Sequence, residues 1–445
     1  MIFLMVCIKQ YLPRIFVFLH QSWPTKHSFY LLGLQYVGSR PLLSTRGFEW
    51  EYQPDPSLHQ ILRKEFKDHY DNYCKGRIDK GTMPLYLFLS GAGTGKSRNA
   101  TEFHNAAIEC LDKEEDSELR NKIQNALVFN VSFENGTNLR EEESSAFRAV
   151  GTRMLLQLRP KQLNNIDEII STYEATSPWE VLELVAKNKK QDLTDITVFL
   201  IVDGLQHIID GPKKDGLNQK SEFYRTISNI ADLGCQGVFL IPCCTATITG
   251  PIDYFVRVSY QKCVYLPVPS LHPPTIRQNN TGKSIKVFQQ DYITKILVED
   301  CGGHGRALET LQEILKNHDI NKCNLDLLMN DLRYDLIDRY IDAFNLSKTE
   351  AQFIARAILT RHPLNIDEII PEINKTPDEI IRPGLIRFEP TFPMSKTGYL
   401  IAPYIWIWIL AQRIGVDELL KDWQFSDYKK QASKLDSGSP PDARL

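Results

Sequence analysis

Leu85-Tyr-Leu-Phe-Leu-Ser-Gly-Ala-Gly-Thr-Gly-Lys-Ser97 is the stretch on which the reading of this chain turns. Its first five residues are apolar without interruption, as in a strand buried on both faces. A glycine-rich turn follows at once, and helical periodicity then runs from about Gly95 to Leu111. Strand, glycine-rich turn and helix are the order that the pattern G-x-x-x-x-G-K-[ST] requires. In that pattern backbone N–H groups turn inward to cradle phosphate oxygens, and the helix presents its positive end to them. Gly91, Gly93 and Gly95 serve the turn, with Ala92 and Thr94 between them and Arg98 just beyond. Ser90 stands where the first glycine is usual, and it is small enough to leave the turn intact. Lys96 is placed to reach the β- and γ-phosphates of a nucleoside triphosphate, and the Ser97 hydroxyl to take one position on magnesium.

A second motif belongs with the first. Thr197-Val-Phe-Leu-Ile-Val-Asp203 is a β-branched, apolar run ending in an acid. As a central strand it would deliver Asp203 to the carboxyl edge of the sheet, where it holds magnesium directly or through water. The next residues matter for hydrolysis, because an acid there would activate the attacking water. This chain has Gly204-Leu-Gln-His207 instead. Gln206 or His207 either positions a water, as a glutamine does in some GTPases, or is a surface residue at a helix start. Thr245 and Thr247 have two readings as well, as polar sensors of a γ-phosphate or as simple turn residues.

Further along, Glu299-Asp-Cys-Gly-Gly-His-Gly-Arg-Ala-Leu-Glu309 brings Arg306 into the first turn of a helix. A cation is unfavourable beside the partial positive charge of a helix start, and a nearby phosphate would offset that. Arg306 is therefore expected to sense nucleotide. Lys96, Asp203, Gln206 and Arg306 form the candidate catalytic set, Ser97 and Asp203 the metal set, and ATP with Mg2+ the expected ligands. No Asn/Thr-Lys-x-Asp guanine-reading motif appears where one would be expected.

Around these motifs, apolar runs at 126–133, 197–202, 238–241 and 263–266 join 85–89 as five strands alternating with helical segments at 144–158, 178–190 and 222–233. An amphipathic helix over 58–73 precedes them. That alternation predicts an α/β fold with a parallel sheet sandwiched by helices, a P-loop NTPase core over 58–274. After the prolines of 267–274 the periodicity becomes helical, which predicts a helical lid over 275–361. Two short strands about a turn and an aromatic helix then suggest a winged-helix-like module over 362–425. Residues 1–57 read as irregular lead-in and 426–445 as a disordered tail. The acidic run 112–118 reads as a solvated surface loop.

Composition bounds the rest. Hydrophobic residues at 42% and charged residues at 24% argue against wholesale disorder and against a polytopic membrane protein. A net charge of −3 gives no global nucleic-acid signature, although a local basic groove stays open. The nine cysteines show no CxxC spacing and fit reduced, intracellular thiols, with Cys243-Cys244 as buried strand residues. The apolar first twenty residues are split by Lys9, Pro13 and Arg14 into halves too short to span a bilayer.

With those residues assembled, the chain resembles the ATPase region of the Crinkler family and, more broadly, AAA-like and signalling ATPases. The match is carried by Leu87-Phe-Leu-Ser-Gly-Ala-Gly-Thr-Gly-Lys-Ser-Arg98, Ile201-Val-Asp-Gly-Leu-Gln206, Gly302-Gly-His-Gly-Arg-Ala-Leu-Glu309 and Gly398-Tyr-Leu-Ile-Ala-Pro-Tyr404. The resemblance implies an ATPase module accompanied by a nuclease-like or kinase-like effector domain, sometimes after a ubiquitin-like header used in secretion. Residues 1–60 carry no recognisable header. Pro377-Asp378 finds no partner acid and (D/E)-x-K triplet, so nuclease activity is not carried over.

The expectation is thus an ATP-dependent switch with slow hydrolysis, in which ATP closes the lid and Arg306 reads the γ-phosphate. Two alternatives stand beside it, a non-hydrolysing nucleotide-bound scaffold that engages DNA or a partner protein through the winged-helix-like module, and a nuclease-associated effector. No membrane partner is expected, and oligomerisation is open. The expected location is intracellular, in cytoplasm or nucleus. Secretion into a host cell is the alternative that the resemblance implies.

Overall fold

The computed structural model describes residues 36–414 apart from 44, 135, 144, 159–165, 173–174, 210–218, 248–249, 279–281, 319–324, 341–345, 382–384 and 393–394. Most of the expected lead-in, the whole expected tail, and Cys7 and Cys323 lie outside the described residues. The described chain forms two compact units. One takes Tyr52–Ser90 and Gly95–Pro269 with the described residues up to Phe48; the other takes Glu49–Glu51, Gly91–Thr94 and the described residues from Ser270 on.

The first unit is built on β1 (Leu85–Leu89), β2 (Leu127–Ser132), β3 (Thr197–Asp203), β4 (Phe239–Ala246) and β5 (Cys263–Leu266). Among the described residues these make one five-stranded sheet in the order β2-β3-β4-β1-β5, and every pairing is parallel. Period-two alternation sends successive side chains to opposite faces, and both faces are covered. Tyr86, Phe88, Val128, Phe199, Ile201, Phe239 and Ile241 pack against α1 (Leu58–Cys74), α2 (Lys96–Glu109) and α3 (Ser117–Gln124). Leu85, Leu87, Phe129, Val131, Val198, Leu200 and Val202 pack against α4 (Ala146–Leu155), α6 (Pro178–Lys189) and α8 (Glu222–Leu233). Between these helices lie α5 (Ile166–Thr172) and the four-residue α7 (Gln206–Ile209), and α9 (Gly250–Ser259) follows β4. The expected fold class, a parallel P-loop sheet between helical layers, is what the chain adopts.

Some local expectations change. β4 runs well beyond the expected 241, through Pro242 opposite Leu200, and ends at Ala246. Proline gives no ladder N–H and signals a stop in sequence reasoning, yet here the strand tolerates its loss in mid-sheet. The acidic run 112–118 is not simply a solvated loop. Asp116 is buried, accepting from Arg63 Nε at 2.9 Å and facing Lys67 Nζ at 2.8 Å, and α3 begins straight after it. Burying an acid is tolerable when cations from a neighbouring helix meet it.

The second unit opens with an antiparallel ribbon, β6 (Thr275–Arg277) with β7 (Ser284–Lys286), which helical periodicity did not announce. Glu51 ties to it, its N–H donating to the Thr275 carbonyl at 2.7 Å and its carboxylate accepting from Ser284 Oγ at 2.9 Å. Then come α10 (Tyr292–Asp300), α11 (Gly305–Asn317), α12 (Leu325–Arg339) and α13 (Lys348–Leu359). Next are β8 (Leu364–Asn365), α14 (Pro377–Ile381), β9 (Arg387–Pro390), β10 (Thr397–Ile401) and α15 (Tyr404–Ile414). Among the described residues β8, β10 and β9 form an antiparallel sheet in that order. The two segments expected as lid and winged-helix-like module share one apolar core, in which Leu308, Leu332 and Ile354 meet Leu400, Ile405 and Trp406.

Candidate functional site

The P-loop leaves β1 at Ser90, whose N–H donates to the Ala246 carbonyl of β4 at 3.3 Å, so the loop starts level with the carboxyl edge of the sheet. Serine in place of glycine makes that bond without strain. Gly93 and Gly95 both adopt positive φ, 71° and 103°, which turns the loop's peptides in the way a phosphate cradle needs. Thr94 Oγ1 donates to the Gly91 carbonyl at 2.7 Å and stiffens the turn. α2 begins at Lys96, which is 6% exposed. Its first turn is braced by Asn99, whose Nδ2 donates to the Gly95 carbonyl at 3.0 Å while its Oδ1 accepts from Tyr52 Oη at 2.8 Å. Arg98, just beyond the loop, pairs with Glu102 at 3.0 Å and donates to the Phe48 carbonyl at 2.6 Å.

Ser97 and Asp203 meet. Ser97 Oγ donates to Asp203 Oδ1 at 3.0 Å, joining the start of α2 to the end of β3. Thr245 Oγ1 donates to the same oxygen at 2.5 Å and accepts from the Gly204 N–H at 3.1 Å, so Thr245 holds the acid in place. Asp203 is 1% exposed, and its Oδ2 is buried without a hydrogen-bond partner among the described residues. Burial, then the negative charge of Glu134, push its carboxyl up to about 6, against the hydrogen bonds from Thr245 and Ser97. A buried carboxylate oxygen left unpartnered beside a serine hydroxyl suits a hard divalent cation. Ser97 and Asp203 could hold magnesium, whose other ligands would be phosphate oxygens and water. Among the described residues no three His, Cys, Asp or Glu side chains gather as a metal cluster, which a site of this kind does not need.

Sequence reasoning missed Glu134. It lies two residues past β2, beside β3, and its side chain faces the position after Asp203. A Cβ added at Gly204 would stand 2.8 Å from Glu134 Cγ, and Gly204 has φ +82°. Gln206 Nε2 donates to Glu134 Oε1 at 2.8 Å, and His207 Nε2 lies 3.6 Å from the same oxygen. Burial raises the carboxyl's pKa, but His207, Lys96 and Gln206 together outweigh it and hold the group below the ordinary glutamate value. Gln206 also accepts from the Thr247 N–H at 3.2 Å. Gln206 is thus buried and hydrogen-bonded, not a surface residue, and Thr247 meets it through the main chain. The strand pairing was the missing signal, since only the β2–β3 register shows that residues after 132 sit beside residues after 203.

In the second unit, residues 91–94 lie against the start of α11. The Arg306 N–H donates to the Gly93 carbonyl at 3.0 Å. His304, the N-cap of α11, accepts from the Ala307 N–H on Nδ1 at 3.2 Å, which leaves the proton on Nε2 to donate to the Ala92 carbonyl at 2.8 Å. Its buried ring stacks edge-on with Trp406, centroids 5.0 Å apart. The Arg306 guanidinium pairs with Glu309 at 2.7 Å, one turn along, so the electrostatic discomfort expected of a cation at a helix start is already relieved.

A P-loop on a parallel sheet, with a serine and an aspartate in these places, can be set beside known proteins. The chain is similar to a Crinkler effector. Over 403 residues it is 28% identical to Crinkler effector protein 108 of Phytophthora sojae, a match that covers 86% of this chain and 46% of the relative. The chain therefore spans a little under half the length of the curated relative it matches. The Crinkler resemblance read from the motifs holds over most of the chain. No protein-family model matches. Among solved structures, the Aeropyrum pernix ORC2 protein in ADPNP–ADP complexes aligns with a TM-score of 0.42 at 13% identity, over 83% of this chain and 98% of that one. Drosophila ORC bound to AT-rich DNA and Cdc6 aligns with a TM-score of 0.20 at 11% identity, over 81% of this chain and 100% of that one. Both likenesses are too loose to bear on function. Among the described residues no helix is long and apolar enough to cross a membrane.

Proposed function

We propose that this chain is the ATP-binding module of a Crinkler-like effector, a magnesium-dependent nucleotide switch that hydrolyses ATP slowly. The observation that carries the reading is the Ser97–Asp203 pair, 3.0 Å apart at the start of the P-loop helix, with one Asp203 oxygen buried and unpartnered among the described residues. Ser90, Gly91, Ala92, Gly93, Thr94 and Gly95 supply the phosphate cradle. Lys96 reaches the β- and γ-phosphates, and Ser97 and Asp203 hold Mg2+. The ion supplies charge neutralisation on the phosphates when bound. Arg306, anchored by its own N–H to the Gly93 carbonyl, reports on the phosphate held by residues 91–94. Similarity to an effector supports action in a host cell, and the remainder of such a protein would set its target.

A second reading has its own observation. Gly204 stands where a catalytic acid is usual, which favours a scaffold that keeps its nucleotide and works on DNA or a protein partner through residues 362–414. Turnover separates the two. Steady-state phosphate release from purified protein with ATP and Mg2+, lost in Asp203→Asn, supports the switch. Stoichiometric ATP binding with no release in wild type supports the scaffold.

A further inference from the structure

We infer that Glu134 is the general base for ATP hydrolysis, standing in from β2 for the acid that Gly204 lacks at the end of β3. The inference rests on the ATP-binding reading above. Position 204 carries a side chain only at the cost of strain. Its φ is +82°, and a Cβ would stand 2.8 Å from Glu134 Cγ, so the space that an acid after Asp203 would fill is already taken by a glutamate side chain from the loop after β2.

The surroundings of Glu134 are those of a base and not of a surface acid. Gln206 and His207 both address Oε1, at 2.8 Å and 3.6 Å, which orients the carboxylate. Oε2 carries no hydrogen bond among the described residues, and the side chain keeps 30% of its surface, enough for a water to reach it. Gln206 is itself fixed by the Thr247 N–H, so the chain of contacts from Thr247 through Gln206 sets where the free oxygen lies. Glu134 is also close enough to Lys96 and Asp203 for their charges to act on one another. The loop that carries it is pinned twice. Thr137 Oγ1 donates to the Glu134 carbonyl at 2.6 Å, and the buried Arg153 holds the carbonyls of Thr137 and Asn138 at 2.7 and 2.9 Å.

The step balances without a further reagent. A water oxygen bonds to the γ-phosphorus as the bond from that phosphorus to the β–γ bridging oxygen breaks. One water proton passes to Glu134 Oε2, the electron pair of the broken bond stays on ADP, and the products are ADP and inorganic phosphate. Glu134 then returns its proton to solvent. Gln206 acts through Glu134 and is a positioning residue.

The experiment compares wild type, Glu134→Gln and Glu134→Asp by calorimetric binding of ATP with Mg2+, by single-turnover phosphate release, and by thermal melting to establish folding. General-base catalysis is worth about 10²- to 10⁴-fold. The inference expects Glu134→Gln to bind within about 3-fold of wild type and to release phosphate at least about 100-fold more slowly. Glu134→Asp, which keeps the charge but withdraws it by one methylene, should fall between. Wild-type turnover in Glu134→Gln overturns the inference, as does parallel loss of binding and rate. Binding without turnover in wild type overturns it too while leaving the nucleotide-binding reading intact. Failure of wild type to bind ATP sinks that reading instead.

Discussion

Gly204 and Glu134 occupy one space between them: the glycine has no side chain, and the glutamate of the loop after β2 fills the room, with Cγ 2.8 Å from where a Cβ would stand. The two positions are therefore coupled. Gly204→Ala should lower stability by about 1–2 kcal/mol for the left-handed backbone alone. The new methyl group should also displace Glu134 and slow phosphate release. Urea melts and single-turnover rates on the same protein check both effects, and a variant as stable and as fast as wild type would show that the space is slack.

A second prediction concerns the loop after β2. Arg153 and Glu143 form a buried pair at 2.7 Å, with side chains only 2% and 1% exposed. Removing one partner strands the other charge in the core. Arg153→Met should cost about 3–5 kcal/mol, measured by chemical denaturation. The double replacement Arg153→Met with Glu143→Leu should recover the part of the loss due to the stranded charge, but not the part due to the Thr137 and Asn138 carbonyls that Arg153 bonds.

A third follows from His69. Its ring lies in the core between Tyr86 and Phe239, and neither nitrogen has a hydrogen-bond partner among the described residues. Burial, and then the charge of Lys262, lowers its pKa from 6.5 to about 3. The unfolded chain thus binds a proton between those values that the folded chain refuses. Stability is fully present above about pH 6.5 and is lost as pH falls toward 3, on the order of 3 kcal/mol by pH 4. His69→Phe keeps the aromatic contacts and removes the proton. Its melting temperature should fall less than that of wild type between pH 7 and pH 4. Parallel pH profiles would count against the assignment.

Arg306 makes a fourth. Its main-chain bond to Gly93 does not depend on its side chain, so Arg306→Ala should leave residues 91–94 in place. If the guanidinium reads the terminal phosphate, the preference for ATP over ADP should fall by about 10-fold, the range of one charge-assisted contact. Affinity ratios from competition binding measure this, and an unchanged ratio would leave Arg306 a structural role with its partners Glu309 and Tyr340.

Much of this was legible in the sequence because the decisive signals are local. An apolar run, a glycine-rich turn and a helix are contiguous, and so are the strand and acid that end at Asp203. The fold class follows from alternation of short apolar runs with helical spacing, and the parallel sheet bears it out. What was not legible depends on pairing. Glu134 reads as an ordinary polar residue until β2 is laid beside β3, and Thr245 as either a phosphate sensor or a turn residue until β4 extends past Pro242 and sets it on Asp203. For His304 nothing in the sequence shows a histidine capping a helix while its other nitrogen bonds Ala92. The ribbon 275–286 was missed since three-residue strands are too short for periodicity to register.

The central claim is that residues 90–97 with Asp203 bind ATP and magnesium. Calorimetric titration of ATP into wild type and Lys96→Ala, each with Mg2+ and with chelator, tests it most directly. The account predicts one site in wild type that weakens sharply with chelator and is lost in Lys96→Ala while the fold survives. Equal binding by both proteins, or none by a folded wild type, would contradict it.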